Sequence, residues 1–379
     1  MPASASSHPQ HQTFGAGGSL TDRLAGLHDH LLASVPVIDR IACALYDAQD
    51  DMLRTFINST RAGIPIAGYE FRLADSPSLS RLAESREFRV LDDLQDTISP
   101  TSPHSRWVLE QGYKSSFTVP MFDSANLTGF IFFDSVQPAA FDNRTQRDLV
   151  LFCNLVNMTI SGELAAVRSI NSAVRLVREI ADMRDFETGS HLARMARYAR
   201  LIARELIPTY GLTDEFVEHI YLFSPLHDIG KVGIPDTILL KPGPLTAEER
   251  QIMQRHVGKG LEIVDKLLRD FSFDHLTGSD VLRDVVGCHH EFLDGSGYPN
   301  GLSGDAISLA ARIVTVADIF DAMTSRRPYK GPWRVDQAIE ELRGMAAAGK
   351  LDSACVNALI ARRTEVLAVA ERFGDPVLP

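Results

Sequence analysis

The sequence predicts a multidomain protein, with an α+β N-terminal domain, a long connecting helix and an all-α C-terminal domain. Three observations predict it. Two pairs of short apolar runs, each pair joined by a polar turn, lie before the end of GFIFFDS at Ser135. An uninterrupted helical pattern then runs from Thr145 to about Asp185, and the remainder is helix-rich with Gly/Pro loops. A chain of 379 residues has room for two domains that each bury a core.

Residues 1–19 are small and polar, and are expected to form a disordered tail. They carry no basic start followed by an apolar stretch, so no secretory signal is expected. A helix is predicted over Leu20–Ser34. IACALYDAQDDMLRTFINS then reads as two strands joined by a polar turn, and SSFTVPMFDSANLTGFIFFDS repeats the pattern with a turn at Asp123–Asn126. This layout, with the Val119-Pro120 strand and the GFIFFDS strand as its signature, resembles a GAF domain, a six-stranded sensory fold, over residues 20–165. There is no NKFDE-like cyclic-nucleotide signature and no evident bilin cysteine. The resemblance therefore fits a ligand-free dimerising domain as well as a small-molecule sensor.

The connecting helix, residues 145–185, overlaps the end of that domain. Val167, Ile170, Val174, Val177 and Ala181 alternate at spacings of three and four, the pattern of a heptad seam. A helix of about 40 residues extends ~60 Å, too far to bury itself on one small domain. A parallel homodimer through this seam is expected. Packing of the seam on the chain's own C-terminal domain is the alternative.

In residues 186–379, Thr246 and Glu249 form a capping box that opens the helix expected to carry His256. Leu309, Ile313, Val316, Ala317, Phe320 and Met323 mark the buried face of a helix over Ile307–Thr324. Asp318 and Asp321 lie three apart beside that face, both able to point into one site.

Net charge is −11, with 12 basic against 19 acidic residues in 1–165 and 26 against 30 in 166–379. Neither half is basic, which argues against DNA binding and requires an anionic ligand to be attracted locally. The four cysteines, Cys43, Cys153, Cys288 and Cys355, are far apart, as expected of free thiols in a reducing cytoplasm. Cys288 reads as a small buried residue, not a ligand. The purely apolar runs are short, and no membrane span is expected.

The chemistry concentrates in HDIGK, from His227, and HHEFLDGSGYPNGL, from His289. An imidazole beside a carboxylate and a nearby ammonium, followed later by two adjacent imidazoles, suits a metal site that cuts a phosphate ester. DGSGYPNG lacks the GK[ST] ending of a P-loop, and Pro299 breaks a Rossmann-type turn.

Both segments resemble the HD-GYP family, a branch of the HD-domain metal-dependent phosphohydrolases whose characteristic members hydrolyse cyclic di-GMP. The resemblance covers roughly the C-terminal half. It implies eight metal ligands: Glu187, His191, His227, Asp228, His256, His289, His290 and Asp318. Taken singly, Glu187 and His191 would be an ordinary helix pair, and His256 an unremarked surface or core histidine.

Five imidazoles and three carboxylates exceed the needs of one ion. Two or three divalent ions are expected, three favoured because Glu187 is present. Iron is the first choice, with manganese, nickel or zinc as alternatives. Asp228 is the expected bridging carboxylate, and with Lys231 the catalytic pair. About two positive charges would remain on such a cluster, matching the two phosphates of a cyclic dinucleotide. Lys231, Arg327, Lys330, Tyr298, Pro299, Asp185 and Asp321 are the implied substrate contacts. Phe186 stands where many relatives carry Pro, with only a local backbone effect expected.

The function implied is hydrolysis of cyclic di-GMP to pGpG, and further to GMP in some members, by a metal-bridging hydroxide under control of the GAF-like domain. A diguanylate cyclase docking at the GYP loop is the implied protein partner. Two alternatives stand beside this: a non-catalytic cyclic di-GMP receptor, and an HD phosphohydrolase acting on another nucleotide.

Overall fold

The computed structural model describes residues 18–100, 103–180, 189–270, 276–325 and 331–374. Among them α1 (Leu20–Leu32) starts at a capping box in which Ser19 and Asp22 satisfy each other's backbone amides. The four strands expected from the paired apolar runs are β1 (Arg40–Asp47), β2 (Met52–Thr60), β5 (Ser115–Asp123) and β6 (Asn126–Ser135). Two further strands, β3 (Glu70–Arg72) and β4 (Arg89–Leu91), have three residues each, too few for a period of two to show in sequence.

All pairings in the sheet are antiparallel, in the order β3-β2-β1-β6-β5-β4. The register sets Arg40 opposite both Thr60 and Asp134, so the first and last long strands lie side by side at the centre. Alternate residues on one face, Ile41, Cys43, Ile131 and Phe133 among them, pack against Leu20, Leu24 and Leu31 of α1. Ala44, Leu53 and Phe130 on the other face are covered by Leu73, Leu79 and Leu82.

The connecting helix α2 (Asn143–Ile180) has 38 residues and is about 57 Å long. Leu149, Phe152, Val156 and Ile160 bury it on the sheet. Farther along, Val167 and Ile170 are buried in the C-terminal helical core, with Tyr198, Phe223 and Val286 in the same cluster. These two positions correct the expected seam: the chain covers them itself. Of the remaining seam positions, Ala181 lies outside the described residues, and the side chains of Val174 and Val177 are not described. One segment of this helix, Asn143–Ser172, is long and apolar enough to cross a membrane by length and composition, contrary to the expectation of no such stretch. The expected disordered tail lies outside the described residues, apart from Gly18 and Ser19.

Helices α3 (Gly189–Glu205), α4 (Asp214–Phe223), α5 (His256–Asp270), α6 (Ser279–Cys288) and α7 (Leu309–Thr324) form the C-terminal core. The Thr246–Glu249 capping box is present, but its helix ends at Gln254. His256 instead opens α5, because the chain bends at Arg255 and the His256 ring turns back to Met253.

The two domains meet through arginines of α3, Arg197 and Arg200 buried and Arg204 half-buried. Arg197 donates to Gln49 at 2.9 Å, Arg204 pairs with Glu70, and Arg200, paired with Glu218 of its own domain at 2.6 Å, lies 4.0 Å from Asp47. At the start of α1, the Glu215 carboxylate accepts the amides of Leu20 at 2.7 Å and Thr21 at 3.0 Å. Charged groups this deeply buried need defined partners, so the contacts fix how the sheet sits on α3 and α4.

Candidate metal centre

Three of the donors come from short segments pressed together by small residues. In HDIGK, a Cβ at Gly230 would strike the His256 carbonyl oxygen and the backbone of Gly260. Glycine there lets the His227-Asp228 turn lie directly on the first turn of α5. Asp228 is buried and faces two ways. Its Oδ1 lies 3.0 Å from His256 Nε2 and 3.6 Å from His289 Nε2. Its Oδ2 lies 3.1 Å from His227 Nε2 and 2.8 Å from Lys231 Nζ.

The imidazoles are oriented from behind. His227 Nδ1 donates to the Ser224 carbonyl at 2.9 Å, and His256 Nδ1 to that of Met253 at 2.8 Å. His289 Nδ1 donates to Val285 at 3.0 Å and Val286 at 3.2 Å. A ring nitrogen that meets a carbonyl oxygen must carry the proton, so in the neutral ring Nε2 carries the lone pair.

Here the arrangement reveals its purpose. Nε2 of His256, Nε2 of His289 and Oδ1 of Asp228 are buried without a hydrogen bond of acceptable geometry. Lone pairs facing carboxylate oxygen at these separations repel unless a cation lies between them. The donor set of imidazole and carboxylate suits a divalent transition metal.

Burial favours a protonated Asp228, but the Lys231 ammonium beside it outweighs burial and holds the carboxyl well below its usual range. Burial pushes His289 down. It also pushes His290 far down, reinforced by the neighbouring His289. Both rings are therefore neutral at pH 7, the form that binds metal.

Two groups of donors result: Asp228, His256, His289 and His290, and next to them His191, His227 and Asp318. Within each group the ligand atoms lie within 4.8 Å of one another. His227 Nε2 is 3.8 Å and His191 Nε2 3.9 Å from Asp318 Oδ1. Seven of the eight expected ligands are thus brought together. Glu187, with Asp185, Arg327 and Lys330, lies outside the described residues.

Asp321 corrects an expectation. It has no exposed surface to offer a substrate. Instead it accepts His191 Nδ1 at 2.7 Å, Arg194 Nε at 2.7 Å and Nη2 at 3.0 Å, and the Ser325 hydroxyl at 2.8 Å. Burial opposes its ionisation, but His191 and Arg194 outweigh that and hold its carboxyl low. Such a carboxylate–imidazole pair fixes the ring that faces the metal position. Arg194 belongs to no motif in the sequence, although its place three residues after His191 puts it on the same helix face. Nor does the sequence single out Thr315, whose hydroxyl donates to the His289 carbonyl at 2.8 Å.

Tyr298 stacks on His290, with ring centroids 4.6 Å apart, while Pro299 is exposed. Cys288 is half-buried and outside both donor groups, with burial pushing its thiol up to about 11.

Residues 175–355 match the HD domain family, and both donor groups fall inside the matched stretch. The chain is 44% identical over 206 residues to the cyclic di-GMP phosphodiesterase response regulator RpfG of Xanthomonas campestris, covering 53% of this chain and 50% of that protein. It is 41% identical over 195 residues to 3'3'-cGAMP-specific phosphodiesterase 2 of Vibrio cholerae, covering 51% of this chain and 35% of that protein. The chain therefore spans half or less of the length of these relatives. Its fold is similar to a GAF domain region from Geobacter sulfurreducens at 17% identity and a TM-score of 0.31, covering 38% of this chain and 93% of that one.

Proposed function

We propose that this chain is a metal-dependent phosphodiesterase that hydrolyses a cyclic dinucleotide, cyclic di-GMP first, to the linear product pGpG and on to GMP. The observation that carries this reading is the convergence of seven imidazole and carboxylate donors, Asp228 among them, with lone pairs of His256 and His289 facing its oxygen.

His191, His227 and Asp318 would hold one ion, and Asp228, His256, His289 and His290 another, with Asp228 shared between them. A third ion would need Glu187. Iron is the first candidate, then manganese, nickel or zinc. When bound, such ions supply positive charge against phosphoryl oxygens and bring a water's pKa into the neutral range. The chain's own groups do the rest. Neutral imidazoles leave the net charge of the centre positive. Lys231, held by Asp228 and one-fifth exposed, donates a hydrogen bond to a phosphoryl oxygen as charge builds there. Arg327 and Lys330 remain the candidate contacts for the second phosphate or a guanine.

A specific observation favours a second substrate: one relative of comparable identity is named for 3'3'-cGAMP. The deciding experiment offers both cyclic dinucleotides to anaerobically purified, metal-analysed protein. Hydrolysis of cyclic di-GMP with at least two ions bound is expected. Lys231→Met should retain the ions and lose turnover by about 100-fold or more. Metal-replete protein that binds cyclic di-GMP without cutting it would support the receptor reading instead.

The dimer belongs to the same proposal, on a different face of α2 than the sequence suggested. Leu151, Leu155 and Met158 are 69%, 50% and 70% exposed, at spacings of four and three. Gly162 and Ala165 continue the stripe at the same alternation, also exposed. A second copy of the helix would cover this seam. The opposite face of α2 is committed to the sheet.

A further inference from the structure

We infer that Tyr298 is a positioning residue for His290, tied in place by Glu291, and not a contact for a nucleotide base. The inference rests on the metal-centre reading above. Four of the five imidazoles are oriented through Nδ1: His191 by Asp321, and His227, His256 and His289 by backbone carbonyls. Among the described residues, His290 has no such hydrogen bond. Its ring lies instead against that of Tyr298, with centroids 4.6 Å apart and planes 29° from parallel. An offset aromatic stack restricts rotation of the imidazole about χ2, the freedom that the hydrogen bonds remove from the other four.

The tyrosine is itself held by the backbone of the ligand pair. Tyr298 N donates to the His290 carbonyl at 3.1 Å. Glu291 follows His290 directly and is 2% exposed. One of its oxygens accepts Asn300 N at 2.7 Å and the other Leu302 N at 3.0 Å. Both ends of a buried carboxylate are thus used to hold the loop that follows Tyr298. Gly297 makes the fold-back possible: a Cβ there would lie 2.5 Å from Glu291 Cα, the His290 carbonyl oxygen and Phe292 N. The loop returns onto its own ligand pair, and one face of Tyr298 is occupied by His290.

The test titrates metal-stripped full-length protein with Co²⁺ and follows the visible absorption of the bound ion, with circular dichroism as the control for folding. Tyr298→Phe keeps the ring and should bind as wild type does. Tyr298→Leu should weaken one ion by ~10–100-fold and change its spectrum. Glu291→Gln loses the charge that holds Asn300 and Leu302, and should weaken the same ion. It carries the test if the Tyr298→Leu protein does not fold. Wild-type Co²⁺ affinity and spectrum in Tyr298→Leu and Glu291→Gln, with only KM raised in Tyr298→Leu, would overturn the inference. Failure of the wild-type protein to bind Co²⁺ at all would overturn the metal-centre reading itself, a separate outcome.

Discussion

Arg194 meets both oxygens of Asp321, with Nε at 2.7 Å and Nη2 at 3.0 Å, and through that carboxylate sets the ring of His191. The pair is buried, so its partners are not interchangeable with water. Arg194→Met strands a buried carboxylate and is expected to cost about 3–5 kcal/mol of stability. It should also weaken the ion held by His191, His227 and Asp318. Arg194→Lys restores the charge without the two-pronged geometry and should fall between. Chemical unfolding and metal titration of the three proteins check this; equal midpoints would contradict it.

A pH dependence follows from the domain contact. Asp214 accepts Gly68 N at 2.7 Å, and burial raises its carboxyl from 3.8 to about 6, against the opposing hydrogen bonds of Thr55 and Gly68. Between these values the folded chain holds a proton that the unfolded chain has released. Its contribution to stability therefore falls as pH rises from about 4 to about 6 and stays low above. Asp214→Asn keeps an oxygen for Gly68 and removes the charge. It should be more stable than wild type by up to about 3 kcal/mol at pH 7, with the difference vanishing below pH 4. Unfolding curves of both proteins across pH 4–7 provide the comparison, and a constant difference would refute the assignment.

For the exposed stripe of α2, Leu155→Glu places a charge in the middle of the proposed seam. Light scattering should report a dimer for wild type at micromolar concentration and a monomer for the variant, with metal content unchanged. A wild-type monomer, or a variant that remains dimeric, would exclude this face.

Much of this was legible in the residues. Types and order alone determined the paired strands around their polar turns, the long connecting helix and the Thr246–Glu249 capping box, because each rests on local periodicity or on neighbours in sequence, whereas the HDIGK and HHE segments announced a metal site and only the family resemblance joined His191, His256 and Asp318 to them. Periodicity states which residues share a face, not what covers it. Only the tertiary structure decided that Val167 and Ile170 face the chain's own helical core while Leu151, Leu155 and Met158 stay exposed. The same limit separates Asp318 from Asp321. Three residues apart on α7, they differ by about 60° around the helix axis. Sequence places both beside one site, whereas packing sends Asp318 toward the Nε2 atoms of His191 and His227 and buries Asp321 behind His191, where Arg194 balances its charge.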